Sequence, residues 1–199
     1  PPDYEPPPER SLAAMAAQRG VDVQALAYDL MLENEGRGIL NRPIINYADG
    51  DLEAARTMIE HPNTLMGLGD GGAHVGLICD SSSTTTMIAH WTRDRTRGGR
   101  LPLGFVIRRL TRDNAAAIGL HDRGVIAPGM RADINVIDYG RLGARPPQVV
   151  YDLPAGGKRM IQRATGYEAT LVAGQVTYRE GEATGALPGR LVRGAQRNG

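Results

Sequence analysis

One acidic and one imidazole side chain lie in a run of glycines and small apolar residues, GLGDGGAHVG, at residues 67–76. Asp70 can accept and return a proton, which is the work of a general base and acid. The glycines around it allow another group to approach the backbone closely. The run therefore predicts a polar or ionic partner beside Asp70. Two structural roles compete with catalysis: Asp70 can cap the next helix or form an Asx turn before glycine.

Two further side chains are candidates for contact with a substrate. His74 follows Asp70 by four residues and can contact a substrate carboxylate or hydrogen-bond to the backbone of the glycine-rich turn. Tyr47 follows a predicted strand and can contact the scissile carbonyl, although tyrosines at strand ends more often pack. Paired metal ligands are not predicted, because no HxH or HxxxH spacing joins the four histidines, His61, His74, His90 and His121.

A lone thiol and a group of arginines are interpreted as structural. Cys79 has no positioned base beside it in the sequence, and a catalytic thiol needs a lowered pKa, so a packing role is predicted. The arginines could attract an anionic substrate, but the solvated end of a helix is the interpretation adopted for Arg93, Arg95, Arg97 and Arg100.

The elements around Asp70 follow the order strand, helix, strand. Apolar runs at residues 43–47 and 64–69 predict two buried strands, and Asp51 is predicted to cap a helix that continues through Glu60 between them. This order is the repeat of a parallel α/β fold, in which loops beyond the carboxyl ends of strands carry catalytic residues. Asp70 is predicted to lie just beyond the second strand.

Helices and strands divide the rest of the chain. Ser11 and Asp22 are predicted to cap two early helices, and further helices are predicted over residues 84–95 and from Pro102 to about residue 118. From Gly124 onward, short apolar runs separated by glycine turns predict an all-β segment. The boundary between two domains is predicted near residue 122.

The composition of the chain argues against nucleic-acid and membrane partners. The net charge is +1 and only 5% of residues are aromatic, so no base-stacking surface and no nucleic-acid partner are predicted. No apolar run reaches the length of about 18 residues that a membrane span needs, and no membrane partner is predicted. A single cysteine fits a reducing compartment, which predicts the cytoplasm.

Several runs of residues resemble the amidohydrolase superfamily. GVIAPGMRADINVID, with its Pro128-Gly129 turn and Ala132-Asp133 step, is similar to the strand–turn–strand that follows the barrel there, and LTRDNAAAIGL resembles the preceding helix. EHPNTLMGLGDGGAHVG and VAGQVTYREGEATGALPGRLVR resemble one branch, the N-acyl-D-amino-acid deacylase group, or amidohydrolase family 3. The resemblance implies the C-terminal part of a (β/α)₈ metal-dependent hydrolase barrel in residues 1–122. Residues 123–199 would form the C-terminal half of a small all-β domain.

The same resemblance implies an activity. The parent protein would be a zinc-dependent hydrolase of an amide C–N bond in a small molecule, with Asp70 as a metal ligand and as general base and acid. His74 and Tyr47 would bind the substrate. The remaining zinc ligands would belong to a missing N-terminal portion of the same protein. The family's arginine for a substrate carboxylate has no counterpart from Gly71 to Met87.

Two alternatives remain open. A related cyclic-amide hydrolase would carry the same motifs on the same fold. Alternatively, the chain is a non-catalytic fragment, because a single carboxylate is a poor zinc site when about four ligands are normal. A segment of a barrel exposes sheet edges and apolar patches, so self-association is predicted.

Overall fold

The computed structural model describes residues 3–43, 45–67 and 69–196. This part of the chain divides into two compact units, one ending at Thr64 and the other beginning at Leu65. The first unit holds helices, and the second holds helices followed by antiparallel strands. The mixed α/β class predicted from the sequence is confirmed.

Capped helices dominate the first unit. A 3₁₀ turn at Pro8–Arg10 precedes α1 (Leu12–Arg19), α2 (Val23–Gly36) and α3 (Glu53–Glu60). The predicted caps of α1 and α2 are confirmed: the Ser11 hydroxyl accepts a hydrogen bond from the Ala14 amide, and the Asp22 carboxylate accepts from the amides of Gln24 and Ala25. Such caps satisfy amides that the helix itself leaves without partners.

Two helix boundaries differ in detail from the sequence prediction. The backbone of α2 leaves helical geometry at residues 33–35, close to the predicted end at Glu33–Gly38. The cap position of α3 is Leu52, and the Asp51 carboxylate accepts a hydrogen bond from the Glu53 amide at 2.9 Å. Asp51 is the predicted cap residue, and it instead supports the first turn of the helix from the position just before the cap.

The two predicted buried strands are wrong for the residues that the structure describes. Residues 43 and 45–47, and residues 64–67 and 69, have no strand geometry, and Ile45 and Leu65 are 75% and 58% exposed. Ile44 and Leu68 belong to these segments and lie outside the described residues. A strand needs a neighbour for its backbone groups. Every sheet in the described chain is antiparallel and lies at Ile134 or later.

Two long helical segments open the second unit. The 3₁₀ turn Asp80–Ser82 leads into α4 (Ser83–Ala89), which continues as a π-helical segment over His90–Asp94. The other segment is α5 (Leu103–Arg108), a π-helical stretch over Arg109–Asp113, and α6 (Asn114–Ala117). Both match predicted helices, although Pro102 occupies the cap position and not the first turn. Their apolar faces form the core of this unit with Met66, Ile88, Ala89, Trp91, Leu101, Val106, Ala115 and Leu142.

Arg93 and Arg95 are not part of a solvated helix end, which corrects the interpretation drawn from the sequence for these two arginines, whereas Arg100 is exposed as predicted. Arg95 is 1% exposed, its guanidinium carbon lies 4.6 Å from the centroid of the Trp91 ring, and it donates to the Gly99 carbonyl at 2.8 Å. Arg93 donates to the carbonyls of Tyr139 and Leu142, across the gap between helix and strands. Their guanidinium groups satisfy backbone carbonyls that the fold would otherwise leave without donors.

In the described part of the chain, three antiparallel sheets follow the helices. The strands are β1 (Ile134–Ile137), β2 (Gly143–Ala144), β3 (Gln148–Leu153), β4 (Gly157–Ile161), β5 (Ala164–Thr165), β6 (Tyr167–Val172), β7 (Gln175–Arg179) and β8 (Glu182–Ala183). Four of them form a sheet in the order β1-β6-β7-β8, while β2 pairs with β5 and β3 with β4. Strands therefore occur in the segment where the sequence predicts them. The domain boundary at residue 122, the barrel and the separate β domain stay predictions.

The motif around Asp133 has a clear structural role. The Asp133 carboxylate accepts hydrogen bonds from Arg131 at 2.9 Å, from Arg123 at 3.2 Å and from the Ala173 amide at 2.8 Å. Gly129, at φ +81, allows the preceding chain to turn back, and the Met130 amide donates to the Ala127 carbonyl. Asp133 thus connects the start of β1 to the turn between β6 and β7.

No helix of the described residues is long and apolar enough to span a membrane.

Candidate active site

The loop that contains Asp70 is ordered by backbone hydrogen bonds. The Asp70 carbonyl accepts from the Ala73 amide at 2.9 Å, which closes a turn, and the His74 carbonyl accepts from the amides of Leu77 and Ile78. His74 has φ +45, a left-handed conformation that is uncommon outside glycine. Asp70 and His74 therefore lie in one loop of two consecutive turns.

The glycines of this loop approach the turn at the start of α4. A Cβ atom added to Gly71 would lie 2.0 Å from the Ser81 hydroxyl oxygen, and one added to Gly69 would lie 3.0 Å from the Asp80 carbonyl oxygen. The Asp70 amide also donates to the Asp80 carboxylate at 3.0 Å. The Asp80 carboxylate is thus a polar neighbour of the Asp70 backbone, and the predicted partner of the Asp70 side chain stays a prediction.

The Asp70 carboxylate itself is exposed to solvent. Within residues 3–43, 45–67 and 69–196, no hydrogen-bond donor or cation contacts its oxygens, so neither a helix cap nor an Asx turn occupies it. The His74 side chain is exposed as well and makes no hydrogen bond to the described residues. Both side chains are available to a molecule that arrives from solvent, and their functional roles stay predictions.

Tyr47 belongs to the other compact unit. Its side chain is half-buried, and its hydroxyl donates to the Pro6 carbonyl. Nearby, the Glu5 carboxylate, 3% exposed, accepts from the Leu52 amide at 2.9 Å. The Tyr47 hydroxyl therefore joins the proline-rich entry of the chain to the segment before α3. Its predicted contact with a substrate stays a prediction.

A zinc site is not complete within the described residues. They contain no group of three or more histidine, cysteine, aspartate or glutamate side chains arranged to hold a metal ion. Protein-bound zinc takes about four ligands, of which at least three come from side chains. Asp70 alone does not fit that requirement.

The surroundings of the Cys79 thiol disfavour its reactive thiolate form. Burial raises the pKa of Cys79 above its ordinary value, and the Asp80 carboxylate raises it further. The thiolate is the nucleophilic form of cysteine, so both effects suppress its reactivity. This agrees with the packing role predicted for Cys79.

One feature of the second unit was not anticipated from the sequence. A pocket of about 640 Å³ lies against β5 and β6, and it is also lined by two arginines, Arg145 just after β2 and Arg163 just before β5. No sequence signal indicated it, because each arginine reaches the pocket only through the pairing of strands that are about 20 residues apart.

Comparison with known proteins places the chain in a family. The model of the amidohydrolase family matches residues 7–178. No curated protein and no solved structure matches the chain. The matched region contains α1–α6, the Asp70 loop and the strands through most of β7. Because the match spans most of the 199 residues, the chain belongs to the amidohydrolase family, a family of hydrolases.

Proposed function

We propose that this chain is part of a hydrolase that cleaves the amide C–N bond of a small N-acyl-D-amino acid. The proposal rests on the exposed Asp70 carboxylate, which no donor among the described residues contacts, in a glycine-rich loop inside the region matched by the amidohydrolase family. A carboxylate that no protein donor occupies can exchange protons with a substrate. We also propose the cytoplasm as the compartment, because a lone cysteine fits a reducing environment.

Asp70 would transfer one proton in each turnover. Its carboxylate would accept a proton from water as the water oxygen bonds to the carbonyl carbon. It would return that proton to the nitrogen as the C–N bond breaks, so that a carboxylic acid and an amine leave. The exposed imidazole of His74, in the same loop, would contact the carboxylate part of the substrate. Positioned general acid–base groups of this kind contribute about 10²–10⁴-fold to rate.

A zinc ion is proposed for the complete protein. Because Asp70 is the one ligand assigned on this chain, the other ligands would come from another part of the polypeptide, which would be the partner of this chain. A calorimetric titration of the 199-residue chain with zinc tests this assignment. We expect no stoichiometric binding, and tight binding at one site per chain would contradict it.

Turnover of the complete protein with Asp70→Asn tests the catalytic assignment. The substitution would leave the backbone bond to Asp80 in place, but the new amide side chain could not carry the proton, so we expect kcat to fall by about 100-fold or more. Asp29→Asn is the matched control, because Asp29 is an exposed aspartate on α2 that forms no ion pair with the described residues. Near-normal turnover by Asp70→Asn would remove Asp70 from the mechanism.

The choice of substrates separates the proposed reaction from its closest alternative. Initial rates with an N-acyl-D-amino acid, its L enantiomer and a cyclic amide report the preference directly. Preference for the cyclic amide would replace the deacylase assignment by a cyclic-amide hydrolase and leave the role of Asp70 intact.

A second candidate function is a non-catalytic, self-associating chain. It is favoured by large apolar side chains that the second unit exposes, among them Leu77, Ile126 and Leu187 at 80%, 86% and 92% exposure. Exposed apolar side chains mark an association site where they lie together in one patch. Light scattering over a range of concentrations tests it, and a monomer at every concentration would contradict it.

A further inference from the structure

The pocket in the strand region is lined by charged groups of both signs. Arg141, Arg145 and Arg163 contribute cations, and Glu168, Glu180 and Glu182 contribute carboxylates. The charges are not all paired with one another. Arg141 binds the carboxylates of Asp138 at 2.6 Å and Glu168 at 3.1 Å. Arg145 and Arg163 form no ion pair with the described residues, although three carboxylates line the same pocket.

The register of the β2–β5 pair places these two arginines opposite each other. Gly143 pairs with Thr165 and Ala144 with Ala164, and the ladder continues as the Arg145 amide donates to the Arg163 carbonyl at 2.8 Å. Directly opposite residues of an antiparallel pair have their Cβ atoms about 5 Å apart on the same face. The two arginine side chains therefore start from neighbouring positions on one face of the ladder.

This arrangement is unfavourable unless something neutralises it. Like charges directly opposite each other in a ladder destabilise it. Alternation along the strand puts Gly143 and Thr165 on the same face as the two arginines. Gly143 has no side chain to fill that face, and the Thr165 hydroxyl is turned to the carbonyls of Arg141 and Gly143. This face of the β2–β5 pair therefore combines open space with the positive charges of Arg145 and Arg163.

We propose that Arg145 and Arg163 jointly bind a small oxyanion, a phosphate or carboxylate group, at the β2–β5 end of this pocket. Each guanidinium presents five N–H donors in a planar fork that matches the oxygens of a carboxylate or phosphate. An oxyanion between two forks accepts charge-assisted hydrogen bonds from both and removes their repulsion. The carboxylates of Glu180 and Glu182 line the same pocket and repel anions. The ligand's anionic group is therefore expected to lie near the two arginines and away from these carboxylates. The site involves neither Asp70 nor His74, so it does not depend on the proposed hydrolase activity.

Calorimetric titration of the chain with inorganic phosphate and, separately, with acetate tests the proposal and distinguishes the two oxyanions. Sodium chloride at matched ionic strength accounts for general screening. We expect saturable binding of at least one of them, and a loss of about tenfold or more in affinity in both Arg145→Gln and Arg163→Gln. Arg190→Gln is the control, because Arg190 is an exposed arginine outside the pocket that forms no ion pair with the described residues.

The titrations of the unchanged chain and of the three variants can either support or overturn the oxyanion site. Binding that both glutamine variants weaken and the control does not would support the site, whichever anion binds. Absence of binding by both anions would overturn the proposal, and so would binding that the variants leave unchanged or that Arg190→Gln weakens equally. The fluorescence of Trp91, the single tryptophan, verifies that each variant is folded.

Discussion

Replacing Gly166 by alanine should destabilise the second unit strongly, because the glycine is required for two separate reasons. Gly166 connects β5 to β6 with φ +86, where L side chains are rare. A Cβ atom there would lie 2.6 Å from both the N and Cα atoms of Leu142, a residue that is 1% exposed. These are backbone atoms of a buried residue, so no change of rotamer can relieve the contact.

The expected size of the effect follows from these two causes. The left-handed conformation costs alanine about 1–2 kcal/mol, and the smaller entropy of the unfolded chain returns about 0.4–1 kcal/mol of that. Overpacking of a buried site adds about 1–3 kcal/mol. Gly185 is also at φ +86, but nothing lies within 4 Å of its Cβ position. Gly185→Ala thus keeps the conformational cost and lacks the overlap. We expect the free energies of unfolding of the two variants to differ by about 1–3 kcal/mol.

Urea unfolding followed by Trp91 fluorescence measures this difference. Trp91 is 5% exposed and lies in the same compact unit as both glycines, so its emission reports on that unit. With a slope of about 2 kcal/mol per molar urea, the midpoint of Gly166→Ala should lie about 1 M below that of Gly185→Ala. Equal midpoints would contradict this prediction, because they would mean that the Leu142 backbone moves away at no cost.

Three further predictions concern charged or reactive groups near α4. Arg95→Met should lower the free energy of unfolding by about 2 kcal/mol or more, measured by circular dichroism in urea, because the guanidinium is buried against Trp91 and bonded to a carbonyl. The hydrogen bond from Arg93 holds the pKa of Asp94 below its ordinary 3.8. The resulting stabilisation is present above pH 3.8 and is lost as the pH falls through the lower folded value. Asp94 is 39% exposed, so we expect Asp94→Asn to lose less than about 1 kcal/mol at neutral pH, and the difference from the unchanged protein to vanish in acid. Cys79 should react more slowly with iodoacetamide in the folded protein than in urea at the same pH, because its pKa is raised.

Each of these three has an outcome that would contradict it. Arg95→Met with an unchanged midpoint would mean that the buried guanidinium contributes nothing. A stability difference for Asp94→Asn that grows in acid would reverse the sign of the linkage. Equal alkylation rates of folded and unfolded chain would show that the thiol is neither buried nor influenced by Asp80.

Features that depend on neighbours in the chain were predictable from the sequence. Ser11 and Asp22 cap their helices as predicted, because a capping side chain bonds to amides two or three residues ahead. The helices of the second unit and the segment rich in strands also lie where their patterns indicate. Family membership was recognisable for the same reason, since motifs such as the one around Asp133 are contiguous runs of residues.

Features that depend on distant partners were decided by the tertiary structure alone. The apolar runs around Ile45 and Leu65 have strand composition but are not strands in the described residues, because a strand forms only where another strand accepts its hydrogen bonds. Arg95 is in a charged run but is buried, because its guanidinium lies over the Trp91 ring and donates a hydrogen bond to the Gly99 carbonyl. The sequence alone determined the helices, the caps of α1 and α2, and the family. The burial of Arg95 and the pairing of the strands were visible only in the folded chain. Both depend on tertiary contacts that local sequence patterns do not specify.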